Sequence, residues 1–355
     1  MADSARTSTT LLDDDAKALR PRGGVLLTPD AMDPQITSIQ PGGGTLMRLE
    51  LAWGFVRRWW LSTFRAGYVR RMAESRQGTS NQCPHDVLDP RDVKYYRNQV
   101  GYWWDAADDP FAWRDRLPFA RAGLAELLVF SFVCFGGAAL LRAVLATTQV
   151  GTALSTCGWV TCAALLIIGV LIVWFFRDPP RSVTRGIGTI VSPADGKIVT
   201  IERIAHDEFV GGPAVLVGIF LSIFNVHINR APFAARVIGL TYRPGKFLNA
   251  LKPESARENE RLEIRMQATE HPQYRFRVRQ ISGAIARRIV CWVKPGDHLG
   301  AGEQFGMIKL GSRTELVLPD IPQLDLSIKV GDHVKAGTSV IGVFHPDKPA
   351  AAHGA

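Results

Sequence analysis

The sequence 305-FGMIKLGSRTELVLP-319 holds one Gly-Ser pair, Gly311-Ser312, inside a run of alternating apolar residues. Such alternation is typical of a β-strand, and apart from Gly311 no glycine or proline interrupts it between Met307 and Leu318. Alone, a Gly-Ser pair usually marks a turn. A glycine inside a strand costs stability and indicates a bulge or the close approach of another group. We therefore predict that the backbone is held here for chemistry, with the hydroxyl of Ser312 as the reactive group.

The sequence around this strand predicts one mainly β domain over residues 179–349. Short runs rich in Val and Ile, such as 214-AVLVGIFLSI-223 and 339-SVIGVF-344, alternate with Gly, Pro, Asp and Asn. This composition is typical of strands joined by turns. The length suits a single domain.

An internal repeat refines the fold prediction. The segments 294-KPGDHLGAG-302 and 329-KVGDHVKAG-337 share the pattern K-x-G-D-H-[LV]-x-A-G. The pattern resembles the turn of lipoyl- and biotinyl-carrier β-sandwiches, in which Gly-Asp makes a tight turn. Two related hairpins predict a barrel-sandwich, lipoyl-like domain. His298 and His333 belong to these turns, and we expect them to be structural or exposed.

The region 121–178 is apolar enough to cross a membrane. Between Leu127 and Phe176 the only charged side chain is Arg142. The run divides into two helices, near 124–146 and 154–176, and each approaches the roughly 20 apolar residues that span a bilayer. The alternative is a helical hairpin buried in a soluble core.

Arginines flank this predicted transmembrane hairpin on both sides: Arg114, Arg116 and Arg121 before it, and Arg177, Arg181 and Arg185 after it. Cytoplasmic flanks carry an excess of basic residues. We therefore expect both flanks, and the β domain that follows, on the cytoplasmic side of the cell (inner) membrane.

The N-terminal third of the chain has a different character. Residues 1–45 are rich in Asp, Pro, Gly and Thr and predict disorder. Residues 46–120 interleave Trp, Phe and Tyr with Arg, which predicts a mostly helical extension on the membrane surface; an amphipathic helix packed on protein is the alternative. The last residues, 350–355, are read as a tail.

Charge and cysteine content exclude other classes of protein. The net charge of +9 suits anionic lipid, where each nearby basic residue contributes about 1 kcal/mol. No motif for reading nucleic acid accompanies the charge, so we expect no nucleic-acid partner. The five cysteines are scattered without metal-ligand spacing. We therefore expect neither a metal site nor a disulfide framework.

Two further motifs carry groups that could activate Ser312. The first, 192-SPADGK-197, contains Asp195 and alone would be an Asp-Gly turn. The second, 224-FNVHINRAP-232, contains His227, which alone could be a satisfied core histidine. A serine hydroxyl needs a base, and the base needs an orienting group. We therefore expect His227 to accept the Ser312 proton and Asp195 to orient His227.

Together these motifs resemble the phosphatidylserine decarboxylase family of pyruvoyl-dependent enzymes. The run 306-GMIKLGSR-313 resembles the family's self-cleavage site, in the Gly-Ser-Arg form of the short bacterial and archaeal branch. The other two motifs resemble its Pro-x-Asp-Gly and Val-His-x-x-x-x-Pro segments. The resemblance covers about residues 174–344, including 175-FFRDPPR-181, and not residues 1–120.

The resemblance implies self-cleavage between Gly311 and Ser312. The products would be an associated β chain, 1–311, and an α chain whose first residue becomes a pyruvoyl group, the covalent pyruvate cofactor. That group would form a Schiff base with phosphatidylserine and yield phosphatidylethanolamine and CO2. Some family members carry a second histidine where this chain has Phe224, which leaves the proton donor of decarboxylation open.

Weaker matches and alternatives complete the predictions. Tyr242, Lys246 and Arg261 lie in segments that resemble the family. Tyr242 could line the substrate entrance, and Arg261 or Lys246 could bind the lipid phosphate; a solvated surface position is the alternative for each charge. One alternative is an archaetidylserine-type decarboxylase acting on a different serine lipid. Another is a membrane-tethered lipoyl-like binding module with an intact chain. A homodimer is left open.

Overall fold

The structure is a computed structural model that describes residues 26–345 except 80, 149–150, 253, 271–272, 285–287 and 310. The predictions for residues 1–25, 346–349 and the tail 350–355 lie outside the described residues.

Helices dominate the part before the β domain. The helices are α1 Thr45–Phe64, α2 Ala66–Glu74, α3 Leu124–Ser131, α4 Gly137–Thr147, α5 Thr152–Phe175 and, inside the β domain, α6 Ser255–Glu258. Short 3₁₀ turns cover Lys94–Tyr96, Ala112–Arg116 and Arg121–Gly123, and a π-helical turn, Phe132–Gly136, joins α3 to α4.

Two continuous helical stretches, Arg121–Thr147 and Thr152–Phe175, are long and apolar enough to cross a membrane, with mean hydropathies of 2.1 and 2.4. They pack against each other in opposite directions. A Cβ at Gly158 would lie 2.7 Å from the side chain of Leu145, and a Cβ at Gly169 would lie 2.8 Å from the ring of Phe135. These glycines therefore allow the close packing of the two helices.

The β domain confirms the mainly β prediction. Its strands are β1 Thr189–Val191, β2 Gly196–Asp207, β3 Gly212–Leu221, β4 Ile228–Arg230, β5 Ala235–Arg243, β6 Arg261–Ala268, β7 Arg275–Ile281, β8 Arg288–Cys291, β9 His298–Leu299, β10 Gln304–Lys309, β11 Ser312–Pro319, β12 Leu324–Leu326, β13 His333–Val334 and β14 Val340–Phe344.

Eight of these strands form an open, curled half-barrel in the order β13-β2-β3-β11-β7-β6-β5-β9. Two three-stranded sheets, β1-β14-β12 and β4-β10-β8, accompany it. Alternate residues of the large sheet, among them Ile198, Leu262 and Phe276, are fully buried together with Phe305 of β10. This period-two burial follows from the alternating sequence pattern.

The two repeated segments form matching turns at opposite edges of the half-barrel, because β9 pairs with β5 and β13 pairs with β2. In each turn the Asp carboxylate accepts the amide of the Lys three residues earlier, at 2.9 Å for both Asp297 and Asp332. Gly296 and Gly331 have φ of 94° and 105°, which favours glycine. His298 and His333 follow the turns and are exposed, as expected.

The predicted disorder of residues 1–45 is wrong for its described part. Ile36 and Ile39 are only 2% and 3% exposed. The amide of Ile39 donates to the carbonyl of Tyr95, and its carbonyl accepts the amide of Cys291, both at 2.8 Å. Two isolated apolar residues and backbone hydrogen bonds to distant parts of the chain hold the segment. Neither feature produces a periodic sequence pattern, so the order of this segment could not be predicted.

The helical prediction for 46–120 holds only as far as α2. From Ser75 to Ala120 the described residues are irregular apart from short 3₁₀ turns, because Pro84, Pro90, Pro110 and Pro118 interrupt the chain. On α1, Met47 and Leu61 are buried while many of the aromatic residues are exposed. One face of α1 therefore packs on protein and the other is free to meet a membrane.

Candidate active site

Ser312 lies buried at the first position of β11, in the middle of the half-barrel. It pairs with Leu221, the last residue of β3, and it is fully buried. Its Oγ has no hydrogen-bond partner among the described residues. A buried hydroxyl without a partner lowers the stability of the fold. Its presence here therefore indicates a chemical role and not a structural one.

Gly311 precedes Ser312 in a left-handed conformation, with φ of 61°, which glycine adopts at little cost. Its carbonyl group packs against the backbone of Gly283. A Cβ at position 283 would lie 1.5 Å from the Gly311 carbonyl oxygen and 3.5 Å from the Ser312 amide nitrogen. Only glycine at 283 leaves room for this carbonyl. Gly283 therefore fixes the position of the bond that the sequence predicts to be cut, although no motif singled it out.

His227 is fully buried and immediately precedes β4. Its Nδ1 bonds to the carbonyl of Asn225 at 2.9 Å, so Nδ1 carries the proton and Nε2 keeps a lone pair. Nε2 has no hydrogen-bond partner among the described residues. Burial lowers the pKa of His227 to about 4. The imidazole is therefore neutral at neutral pH and able to accept a proton.

Sheet register brings His227 and Ser312 to the same end of the fold. Asn229, two residues after His227, donates through Nδ2 to the Oγ1 of Thr314 at 3.0 Å, and Thr314 is two residues after Ser312. The strand pair β3–β11 ends at Leu221 and Ser312, and a short turn then leads from Leu221 to His227. Two of the predicted motifs therefore lie on neighbouring strands, although Nε2 of His227 and Oγ of Ser312 do not hydrogen-bond to each other.

The end of α5 forms one wall beside His227. The rings of Phe175 and His227 lie 4.6 Å apart. The guanidinium of Arg177 and the indole NH of Trp174 both donate to the carbonyl of Phe224, at 2.8 and 3.3 Å. The second apolar helix therefore holds the turn that carries His227.

Asp195 also lies in this region, but not in the predicted role. Its carboxylate accepts Arg181 at 2.7 Å and the amide of Ala336 at 2.8 Å. The orienting partner of His227 is instead the carbonyl of Asn225. The prediction that Asp195 bonds to His227 is wrong in this structure, because backbone and arginine donors already satisfy the carboxylate.

The structure brings only two of the three residues assigned to the substrate to one cavity. Tyr242 and Arg261 line one cavity of about 470 Å³. Tyr242 donates to Glu260 at 2.8 Å, and burial raises the pKa of the phenol. Lys246 is exposed and pairs with Glu258 at 2.7 Å. The structure therefore brings Tyr242 and Arg261 together, and leaves Lys246 outside their cavity.

A buried ion pair next to Gly311 was not predicted. Lys309 is 5% exposed, and its ammonium donates to Glu126 of α3 and to Gln40 at 3.3 Å. Burial lowers the pKa of Lys309, while the Glu126 carboxylate opposes that shift. Glu126 precedes the apolar run, and an acidic residue at the start of such a helix is the one signal that could have identified it.

The described residues contain no group of three or more His, Cys, Asp or Glu side chains that could hold a metal ion. What they present is a buried serine with a free Oγ, a neutral histidine with a free Nε2 and a constrained glycine carbonyl. These three groups are a nucleophile, a base and a carbonyl that can be attacked, which is what the formation of a covalent group from Ser312 requires.

Comparison with known proteins extends these observations. A sequence model described as phosphatidylserine decarboxylase matches residues 168–342. The phosphatidylserine decarboxylase proenzyme of Rhodopirellula baltica is 49% identical over 252 residues, which cover 71% of this chain and 99% of that protein. The proenzyme of Syntrophus aciditrophicus is 38% identical over 237 residues, covering 66% and 99%. That of Symbiobacterium thermophilum is 42% identical over 184 residues, covering 52% and 84%.

Proposed function

The chain belongs to the phosphatidylserine decarboxylase family, and we propose that it matures by cutting its own backbone between Gly311 and Ser312. Its activity is the decarboxylation of phosphatidylserine to phosphatidylethanolamine. The names of the relatives favour this lipid over archaetidylserine. The observation that carries the self-cleavage is the buried, unpartnered Oγ of Ser312 beside the constrained carbonyl of Gly311.

Self-cleavage starts when Nε2 of His227 takes the proton of Ser312 Oγ. Oγ attacks the carbonyl carbon of Gly311, the C–N bond to residue 312 breaks as its nitrogen takes the proton back from His227, and an ester replaces the peptide bond. Loss of the Cα proton of residue 312 then expels the Gly311 carboxylate by β-elimination. Water hydrolyses the remaining enamine as its imine, which releases ammonia and leaves a pyruvoyl group at 312.

The pyruvoyl group supplies a ketone that binds the substrate amine and takes up the electron pair released with CO2. His227 is our candidate for holding and returning the proton, since Asn225 keeps its Nε2 available. Phe224 has no titratable group and its side chain is exposed. The phospholipid phosphate is assigned to Arg261, because a guanidinium suits phosphate geometry.

The two fragments remain associated after the cut, because the second fragment is woven into sheets of the first. Its β11 lies between β3 and β7, its β13 pairs with β2, and its β14 pairs with β1. Every one of these partners precedes residue 312. The barrel-sandwich, lipoyl-like relationship of the two Gly-Asp turns is part of the same proposal.

We assign the two apolar helices to the membrane and the β domain to its cytoplasmic side. Their mean hydropathy and the flanking arginines support this placement. The carbonyl of Phe224 and the carboxylate of Glu126 link the β domain to the ends of these helices. The active site then lies beside the lipid surface from which its substrate comes.

The test is the covalent state of the purified protein. We expect two fragments, 1–311 and 312–355, on a denaturing gel, and a second fragment whose mass shows a blocked N-terminus. Ser312→Ala should give one inactive chain near 39.1 kDa, because the attacking hydroxyl is missing. Ser282→Ala is the matched control, since this buried serine donates its hydroxyl to Glu260, and it should still be cut. An uncut native chain would refute the proposal and would favour the alternative, a lipoyl-like binding module with an intact chain.

A further inference from the structure

A cavity of about 500 Å³ lies in the N-terminal third of the molecule. Among the described residues, its lining comes entirely from positions 50–128, from α1, the irregular segment after α2 and the start of α3. No strand of the β domain contributes to it. The cavity is therefore separate from the active site in its lining and in the part of the chain that builds it.

Six basic and only two acidic side chains line this cavity. Most of the basic groups are neutralised: Arg57 and Arg58 pair with Asp92, Arg91 with Asp89, Lys94 with Glu50, and Arg121 with Asp115. Arg114 is different. Its guanidinium forms no ion pair and no side-chain hydrogen bond among the described residues, and the carboxylates of Asp109 and Asp89 act on it only from a longer distance. The cavity therefore offers one uncommitted cation.

Aromatic rings hold Arg114 in place. Its guanidinium lies 4.8 Å from the ring centroid of Phe111 and 5.8 Å from that of Trp113. Arg91 stacks on the same Phe111 ring at 4.3 Å. Burial, then the charges of Arg121 and Arg91, lower the pKa of Arg114. A fixed cation beside two others is the arrangement that an anion stabilises.

The mouth of the cavity is apolar and continues onto a membrane helix. Leu124 and Leu128 of α3 line it together with Trp53 and Trp113. Leu128 is 69% exposed and Trp53 is 65% exposed. Tryptophans beside an apolar helix are typical of the membrane interface. A ligand here would therefore meet cations at one end and hydrocarbon at the other.

We propose that this cavity binds the head group of an anionic membrane phospholipid, with the phosphodiester on Arg114 and the acyl chains along Leu124 and Leu128. The lipid is a structural ligand that fastens the N-terminal extension to the bilayer, and it is distinct from the substrate. A free phosphate would use the guanidinium alone and leave the apolar mouth unused. The inference rests on the membrane placement of the apolar helices proposed above, and not on the proposed self-cleavage or decarboxylation.

Phosphatidylglycerol is the probe, because it is anionic and has no amine to decarboxylate. The full chain in dodecyl maltoside micelles is titrated with it, and bound lipid is counted by native mass spectrometry. The Ser312→Ala background keeps all samples as one covalent species. Arg114→Ala should weaken binding about tenfold, as expected for loss of a charged hydrogen bond.

Arg116→Ala is the matched control, because Arg116 belongs to the same 3₁₀ turn, is exposed and does not line the cavity. It should change binding less than twofold. Phosphatidylcholine, which has the same phosphodiester but no net charge, should bind at least about tenfold more weakly than phosphatidylglycerol. Equal effects of the two arginine substitutions, or equal binding of the two lipids, would overturn the proposal.

A second pair of variants tests the apolar half without touching charge. Leu128→Asn alters the mouth, whereas Leu140→Asn alters an equally exposed leucine, 68% exposed, farther along the same helical stretch. Phosphatidylglycerol binding should fall only in Leu128→Asn. Equal binding by the two variants would show that the acyl chains do not lie here. Millimolar inorganic phosphate should leave lipid binding unchanged, and displacement by it would identify a free-anion site instead.

Discussion

The half-barrel and the N-terminal third contribute to the same site in opposite ways. The β domain supplies the reacting groups: Ser312 begins β11 of the half-barrel, and His227 immediately precedes β4 of the neighbouring three-stranded sheet. Regular strands fix where both residues lie. The part of the chain before the β domain supplies partners for Lys309: Gln40 from an irregular segment and Glu126 from α3. The reacting groups lie in sequence motifs, whereas the residues that position the bond to be cut act through single contacts between distant parts of the chain. The two are therefore encoded separately in this sequence.

The largest expected effect on self-cleavage comes from replacing Gly283 with alanine. The added Cβ would lie 1.5 Å from the Gly311 carbonyl oxygen, so the bond to be cut must move. A displacement of about 1 Å lowers rates by about a hundredfold, and we expect loss of self-cleavage of at least that size. The fraction of cut chain on a denaturing gel measures it.

Gly212→Ala is the matched control for this prediction. Gly212 begins β3, and a Cβ there would meet nothing within 4 Å. Cleavage should be normal in this variant. Efficient cutting of Gly283→Ala would show that the close contact does not position the Gly311 carbonyl.

The same division explains what could be predicted from sequence. Alternation and turn residues predicted the mainly β domain, and Gly-Asp spacing predicted the repeated turns, because these depend on neighbours in sequence. The role of Gly283 and the partner of Glu126 could not be predicted, since both depend on atoms far away in the chain. The predicted partner of Asp195, His227, was wrong, because a short motif does not show which donors elsewhere in the chain bond to its carboxylate. Those donors are Arg181 and the amide of Ala336.

Breaking the contact between the two regions should have the next largest effect. Glu126→Leu leaves the buried ammonium of Lys309 without its carboxylate. Removal of one partner of a buried pair costs about 3–5 kcal/mol, so we expect a lower unfolding temperature in the Ser312→Ala background. In the otherwise native chain, cleavage should slow because the segment before Gly311 loses its link to α3.

The double substitution Lys309→Met/Glu126→Leu sharpens this prediction. Apolar replacement of both partners should recover most of the stability, since no buried charge remains. Glu258→Gln is the control, because its pair with Lys246 is exposed and should contribute little. A double variant as unstable as Glu126→Leu alone would mean that the two side chains are not coupled.

The smallest expected effect is the pH dependence of the self-cleavage rate. It distinguishes a buried His227 from a solvent-exposed histidine. A base must be neutral, and burial lowers the pKa of His227 to about 4 from an ordinary 6.5. The rate of self-cleavage should therefore stay constant from pH 8 to about 5 and fall only near pH 4. The unfolded chain binds this proton at higher pH than the folded chain, so stability declines as pH falls from about 6.5 towards 4.

Precursor made by cell-free synthesis into nanodiscs, then shifted to buffers of different pH, gives the rate by gel. Protease resistance of the Ser312→Ala chain at each pH separates slow chemistry from unfolding. A midpoint near 6.5 with an intact fold would mean that solvent reaches His227 before cleavage. In that case the wall formed by Phe175, from the end of the second apolar helix, opens in the precursor, and this helix controls the access of solvent to the base.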